Sequence, residues 1–510
     1  MYDSAPIGRS HRKIESQDAS GSVCVLCSPW LGSCATQRPV AHGDSRLRSG
    51  MPAHTLLQAL SDTFTPQQIA TDASTLQILA QDALHPGRMP GWAVARPLCV
   101  VRPLHTAEVA TVVRLANAHG IPVIPVGGGS GLMGGAASVV EGVVLDLRGL
   151  QDIRMRRADR MADVGAGVTI QALNQAAAPH GLMCGHDPWT VAIATVGGTI
   201  GTNSLGYLGG KYGAMGDQVL GLEAVLPTGD ILQTRGVEKS STGPGLHRLF
   251  IGAEGCFGIV TRATLRLFPL PQTRLLQAWE FADFAAGFTA IQTLLQSGIR
   301  PGLLEYSDAH PAADVSPPAT LIVSFEGPQR VAQAEAEEAS SLCTTHQGRL
   351  LPLQQAEEFW AQRHDSGNAY AASRAAGQGW HRYLRRHPLD YLHVALPPSQ
   401  VLEYRRRSLE ILAQYRLQAL QTGLWDHAGL FNIAFAGADA TTFTAVQMVL
   451  LQLCQDMHGA MEYCHGVGVR LASLMAREHG TGLDLLRRLK HCMDPQGILN
   501  PGKLALDAHT

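Results

Sequence analysis

Two glycine-dense stretches constrain this chain more than any other feature. The first is Pro125-Val126-Gly127-Gly128-Gly129-Ser130-Gly131-Leu132-Met133-Gly134-Gly135, and the second runs from Gly197 to Gly213. Gly129, Gly131 and Gly134 satisfy G-x-G-x-x-G, with Asp146 downstream where a ribose-binding acid would sit in a dinucleotide fold. The spacing refuses that fold, because such a loop must open a crossover helix of roughly ten residues or more. Only Ala136 to Glu141 separate Gly135 from the next strand, Gly142 to Leu147. A P-loop is also excluded, since no Gly-Lys-Ser/Thr follows. The first loop therefore joins two strands through a concavity whose backbone N–H groups suit a pyrophosphate.

Around these loops, residue patterning predicts alternating strands and helices. Cys99 to Pro103 reads as a strand, and Thr106 as the cap of a helix carrying Val109, Val112, Val113 and Ala116, stopped by Gly120. Ile121 to Val126 and Gly258 to Leu267 read as buried strands. After Pro271 longer helices are expected over 284–296, 329–342, 401–420 and 441–458, and an amphipathic one over 483–493 with Leu485, Leu486 and Leu489 on one side. Residues 1–50 lack periodicity and read as a disordered leader, so that Met51 is the expected start of the folded chain. The Cys24–Cys27 pair has no second pair at zinc spacing.

Composition narrows the function classes. A net charge of −2 with scattered basic residues gives no reason to expect nucleic acid or an anionic membrane as partner. No apolar run reaches the roughly 18–20 residues that span a bilayer, and ten thinly spread cysteines read as reduced and cytoplasmic.

Further motifs carry a resemblance. Asp187-Pro188 with Ala194-Thr195-Val196-Gly197-Gly198, then Gly221 to Asp230, Gly252-Ala253-Glu254-Gly255-Cys256-Phe257-Gly258-Ile259-Val260, and Asp494-Pro495-Gln496-Gly497-Ile498-Leu499-Asn500-Pro501-Gly502-Lys503 follow one another in order. With the first loop, they resemble the FAD-linked oxidases of the vanillyl-alcohol oxidase and p-cresol methylhydroxylase (PCMH) superfamily, over residues 94 to 505. The resemblance implies an α+β protein: a two-subdomain PCMH-type FAD-binding domain (94–271) after an N-terminal helical segment (51–93). An α+β cap with an antiparallel sheet (272–480) and a C-terminal segment returning to the flavin (481–510) would follow. It implies non-covalent FAD, with Val126, Gly127, Gly128, Gly129, Ser130, Gly131 and Leu132 on the pyrophosphate. Asp187, Pro188, Thr195, Gly197, Gly198, Thr202, Asn203 and Gly206 would line the cofactor. Glu254, Gly258, Ile259 and Val260 would lie nearer the adenosine, and Asn500 would face the flavin ring. His186, the one histidine near enough to suggest covalent attachment, suits a structural role.

The later part resembles the branch containing glycolate oxidase, D-lactate dehydrogenase and D-2-hydroxyglutarate dehydrogenase. Leu392-His393-Val394-Ala395-Leu396-Pro397 looks like the branch's strand-Pro element, with His393 where an acid is usual, and Met461 to Gly468 looks like its Glu-His-Gly-Val-Gly element. The branch's metal ligands are two histidines and a glutamate. Here His427 and His465 remain, the other histidine is absent and the carboxylate is displaced to Glu462, so no metal is expected. The resemblance implies oxidation of a small 2-hydroxy acid by hydride transfer to flavin N5. His465 would be the base, His427 a second catalytic histidine, and Arg382 or Arg406 the partner of the substrate carboxylate. Tyr391 and Trp380 read as packing residues. Two other readings stand beside it: a non-redox synthase like the alkylglycerone-phosphate enzymes, and a non-catalytic FAD-binding subunit of a glycolate oxidase-type complex. The electron acceptor, and whether the chain forms a homodimer or a hetero-oligomer, stay open.

Overall fold

The computed structural model describes residues 51–84, 88–89, 92–377, 389–437 and 440–507. The Cys24–Cys27 pair, Trp380 and Arg382 lie outside the described residues. The helix Thr106–His119 forms where its apolar spacing places it, burying Val109, Val112, Val113 and Ala116, and Gly120 ends it at φ 63°. Thr106 does not cap it: His105 holds the cap position, and the Thr106 hydroxyl donates to the Glu223 carboxylate at 2.5 Å.

The strands Cys99–Val101, Val143–Asp146 and Val123–Val126 pair in that order as parallel neighbours, with Ile69–Ala70 antiparallel at the edge. The connection from Val126 to Val143 is the first glycine loop, and it contains no helix. A second, five-stranded antiparallel sheet is ordered Ile153–Arg156, Met161–Gly165, Ile259–Arg266, Val219–Val225, Ile231–Gln233. Its central strand Ile259–Arg266 is buried for its first three residues and alternates thereafter, as expected of a strand covered on one face.

A seven-stranded antiparallel sheet follows, ordered Arg349–Leu350, Thr273–Phe281, Ala319–Gly327, Leu304–Ala309, Gln418–Trp425, Leu430–Ala436, Leu389–Ala395. The helix Phe284–Gln296 covers it because Phe284, Phe288, Ile291 and Leu294 recur at helical spacing, and Asp283 accepts the Ala286 N–H at 2.8 Å to start it. One apolar core runs from Val164, Ile200 and Leu222 of the second sheet region to Phe281, Tyr306 and Phe431 of the seven-stranded sheet. No helix among the described residues is long and apolar enough to cross a membrane.

Two helical expectations are corrected. The helix predicted over 401–420 ends at Gln414, because Arg416 turns left-handed (φ 57°) and the Leu417 N–H reaches back to Leu412. The next residues form the strand Gln418–Trp425. In the last helix, Thr481–Met493, Leu483 is buried while Leu485 points to solvent, 57% exposed. That helix aims the chain end at the first sheet, where Val123 exchanges backbone hydrogen bonds with Ile498 and Asn500 at 2.8 and 2.9 Å. Lys490, fully enclosed, ties the return together by donating to the Cys256 and Leu499 carbonyls and to Asp494.

Candidate active site

The first glycine loop packs too tightly to carry side chains. A Cβ on Gly128 would overlap the Ile193 carbonyl oxygen and lie 2.8 Å from its carbon, and Gly129 stands at φ 66° against the Arg374 guanidinium. From outside, the Tyr370 hydroxyl donates to the Gly129 carbonyl at 2.9 Å. On its open side the loop bounds a cavity of ≈160 Å³. Gly127 to Leu132 form one wall, Pro188, Thr195, Gly197, Gly198 and Thr202 a second, and Gly258 to Val260 a third. Glu254 and His465 also line it.

A second cavity, ≈280 Å³, meets the first at Leu132, Trp189 and His465. Its walls are aromatic: Trp189, Tyr207, Tyr391, His393 and Trp425, with Arg88 as its described guanidinium. His393 and His465 stand edge to face, ring centres 4.7 Å apart.

The His465 loop is held by two carboxylates. Glu462 accepts the N–H groups of Tyr463, Cys464 and His465 at 3.0, 2.7 and 3.0 Å, and contacts His465 Nδ1 at 3.3 Å. Glu254 accepts the Val467 and Gly468 N–H groups at 2.7 and 3.0 Å, with Gly466 at φ 82° giving the turn. Burial favours the neutral His465 ring, but Cys464 and the Glu462 carboxylate outweigh it and hold this imidazole well above its ordinary pKa. Burial would raise Glu462, yet His465 and the donated N–H groups keep it below the usual carboxylate range. His393 goes the other way: burial, reinforced by His465, pushes it down to about 3. Its Nδ1 is buried without a hydrogen-bond partner. The two histidines thus divide, one cationic beside its carboxylate and one neutral. Burial also pushes Glu254 up to about 7, against the Gly468 and Val467 N–H groups.

Comparison with known proteins gives the family of the chain. An FAD binding domain model matches residues 97–235, and one for the C-terminal domain of FAD linked oxidases matches residues 270–504. The D-lactate dehydrogenase of Archaeoglobus fulgidus is 31% identical over 80% of this chain and 92% of its own. The chain belongs to the FAD-linked oxidase family. The Bacillus subtilis glycolate oxidase subunit GlcD is 30% identical over 80% of this chain and 89% of its own. Among solved structures, p-cresol methylhydroxylase superposes with a TM-score of 0.72 at 18% identity, covering 90% of this chain and 98% of that one. An alkyldihydroxyacetonephosphate synthase gives 0.71 at 19%, covering 88% and 85%. These two establish the fold, a PCMH-type α+β architecture.

This FAD-linked oxidase is an oxidoreductase, and FAD is its cofactor. The first cavity fits the group: glycine backbone from both loops lines it, together with Gly255 and Gly258, and bare backbone of this kind suits a pyrophosphate. Several residues expected at the cofactor do not line the first cavity. Asp187 is buried in ion pairs with Arg363 and His364, both at 2.9 Å, so it fastens the glycine region to the cap. Asn203 ends the helix Val196–Thr202 left-handed, and its side chain accepts the Gly216 N–H. Gly206 is pressed against the Asp187 backbone, and Val126 is a buried strand residue beneath the loop. Asn500 lies outside the cavity wall, where its amide bridges the Gly135 and Glu254 carbonyls at 2.9 and 2.6 Å. Glu254 does line it, and holds the loop that carries His465. His186 bonds Ser204 at 2.9 Å and lines neither cavity.

The expected substrate groups move too. Arg406 is exposed and engaged by Glu403 and Glu410 on its own helix, Val401–Gln414. His427 is exposed on the turn after Gln418–Trp425 and lines neither cavity. Among the described residues the branch's metal donors do not converge: no three His, Cys, Asp or Glu side chains are grouped to hold an ion. Tyr391, expected to be packing, lines the second cavity. Sequence reasoning missed Arg88, Trp189, Tyr207 and Trp425 there: Trp189 follows the Asp187-Pro188 motif and Tyr207 lies in the second glycine stretch, but no spacing joins them to Arg88 or Trp425.

Proposed function

We propose that this enzyme oxidises a 2-hydroxy acid bound in the second cavity, with His465 taking the hydroxyl proton. The observation that supports it is the position of His465, the one ionisable side chain among the described residues that borders both cavities. Bound FAD, held by residues 127–132, 195–198 and 258–260, supplies the acceptor for the hydride leaving the carbinol carbon. Glu462 holds Nδ1, which leaves Nε2 to exchange a proton with the substrate hydroxyl. The cationic ring formed when that proton arrives is the form Glu462 stabilises. Trp189, Tyr207 and Trp425 keep water from the reacting carbon, and the neutral His393 fixes the edge of the His465 ring. The relatives at 30–31% identity are named dehydrogenase and oxidase, which favours oxidation over the synthase reading. An intact His465–Glu462 pair argues against a non-catalytic subunit.

A pH profile tests the assignment. His465 must be neutral to accept the proton, and its pKa lies above 6.5 in the folded protein, so the rate is low below that pKa and rises as pH passes through it. The groups facing the ring are Glu462, Cys464, His393 and Tyr391. Glu462→Gln removes the carboxylate that sustains the shift, and the inflection in kcat/KM is expected to move to lower pH. A profile already flat from weakly acidic to alkaline pH would transfer the proton to His393, which is neutral throughout that range.

A further inference from the structure

Asp390, buried on the strand Leu389–Ala395, is shared by two arginines that are also buried. Arg470 Nη2 bonds one oxygen, and Arg88 Nε lies 3.4 Å from the other. Among the described residues two guanidinium charges therefore meet one carboxylate. The second arginine is the weaker held. Among the described residues Arg88 Nε has no hydrogen bond and Nη2 reaches the Leu389 carbonyl at 3.5 Å, with Tyr391 as a further neighbour of the guanidinium. A guanidinium that keeps an unpaired N–H and only long contacts to its partners has donors to spare for a further anion. Arg88 is also the member of the trio that lines the second cavity, with its guanidinium 4.5 Å from the Tyr391 ring centre.

The remaining wall describes what the anion carries with it. Tyr207 and Trp425 meet edge to face at 5.2 Å, and Trp189 stands at the junction with the cofactor cavity. The Tyr207 hydroxyl is directed away, onto the Arg363 carbonyl at 2.9 Å, so its ring is the part offered to the cavity. At ≈280 Å³ the space is large. By the same measure one water takes about 10–15 Å³, whereas glycolate has a handful of non-hydrogen atoms. A small hydroxy acid would leave most of this aromatic box wet.

We propose that the substrate is a 2-hydroxy carboxylate bearing an aromatic or similarly large apolar side chain, an aryl-lactate or mandelate type of acid. Its carboxylate is taken by Arg88 and its ring by the box of Trp189, Tyr207, Tyr391 and Trp425. This rests on the 2-hydroxy acid reading and names the class within it. Arg88 offers the planar fork that matches a carboxylate in two parallel hydrogen bonds, and the aromatic walls supply the apolar and edge-on contacts that a ring prefers.

The test uses the FAD-loaded chain. Binding of phenylpyruvate and of pyruvate is titrated through the visible flavin spectrum, and reduction is measured with 3-phenyllactate, mandelate, lactate and glycolate. The proposal expects the aryl acids to exceed lactate and glycolate in kcat/KM by roughly tenfold or more. Arg88→Gln should weaken phenylpyruvate binding roughly 30-fold or more, and Arg88→Lys should restore part of it; flavin content and melting temperature report whether each variant is folded. Lactate or glycolate working as well as the aryl acids overturns the class and leaves hydroxy-acid oxidation standing. Phenylpyruvate binding through Arg88, with no hydroxy acid reducing the flavin, overturns the parent reading and keeps the assignment of the cavity. An Arg88-dependent response to 4-ethylphenol alone makes the anion a phenolate and overturns the proposal, as does phenylpyruvate binding that ignores Arg88.

Discussion

Replacing His465 with Asn is expected to slow reduction of the bound flavin by a hydroxy acid about 10²–10⁴-fold, the usual contribution of a positioned proton acceptor. The protein should stay yellow. His465 lines the cofactor cavity, but the cradle itself is glycine backbone and the walls around Thr195 and Ile259. Asn cannot accept a proton and carry the charge next to Glu462, which would then be a buried carboxylate without its cation. Some loss of stability should accompany the loss of rate, so thermal melting belongs beside the rapid-mixing measurement. A His465→Asn protein reduced at the wild-type rate would remove the proton-transfer role.

The second large effect belongs to the loop. Gly128→Ala should yield protein almost free of FAD and destabilised by about 1–3 kcal/mol, the usual range for forcing atoms into a packed site. The added methyl would meet the Ile193 carbonyl, which is backbone and cannot swing aside as a side chain would. The loop must shift, and the glycine lining of the cavity shifts with it. Gly482→Ala is the control: on the helix Thr481–Met493 its methyl meets only an ordinary 3.5 Å contact with His479. That variant should keep its flavin and gain slightly from helix propensity. The ratio of visible flavin absorbance to protein absorbance in the purified variants reads both outcomes.

How far the site could be read from the chain follows from these two cases. The glycine loop was legible because it is contiguous: glycine density, the short gap to the next strand and the absence of a lysine all lie within about twenty residues of one another. The His465 loop was legible for the same reason, through Gly466 and Gly468. Asp187 and Asn500 show where that reasoning stops. A buried polar residue that ties two segments together, as Asp187 ties Arg363 and His364, occupies the same kind of motif as one that touches a ligand. Only the third dimension separates them. The second cavity was illegible for a further reason. Arg88, Trp189, Tyr207, Tyr391 and Trp425 come from distant stretches, and each alone resembles a packing residue. Arg406, by contrast, stands in solvent, paired with glutamates of its own helix. The overrun of the helix from Val401 has a local cause: its amphipathic pattern passes into the alternation of a buried strand, and Arg416, not a glycine, makes the left-handed turn.

The central claim is that the two cavities meeting at His465 join a flavin to a hydroxy acid. The most direct measurement mixes the FAD-loaded chain anaerobically with a panel of 2-hydroxy acids, following visible flavin absorbance while the 2-oxo acid is assayed. The account predicts that at least one acid bleaches the flavin and that one 2-oxo acid forms for each flavin reduced. A chain that binds FAD fully, yet keeps its oxidised spectrum with every acid and forms no 2-oxo acid, would contradict it.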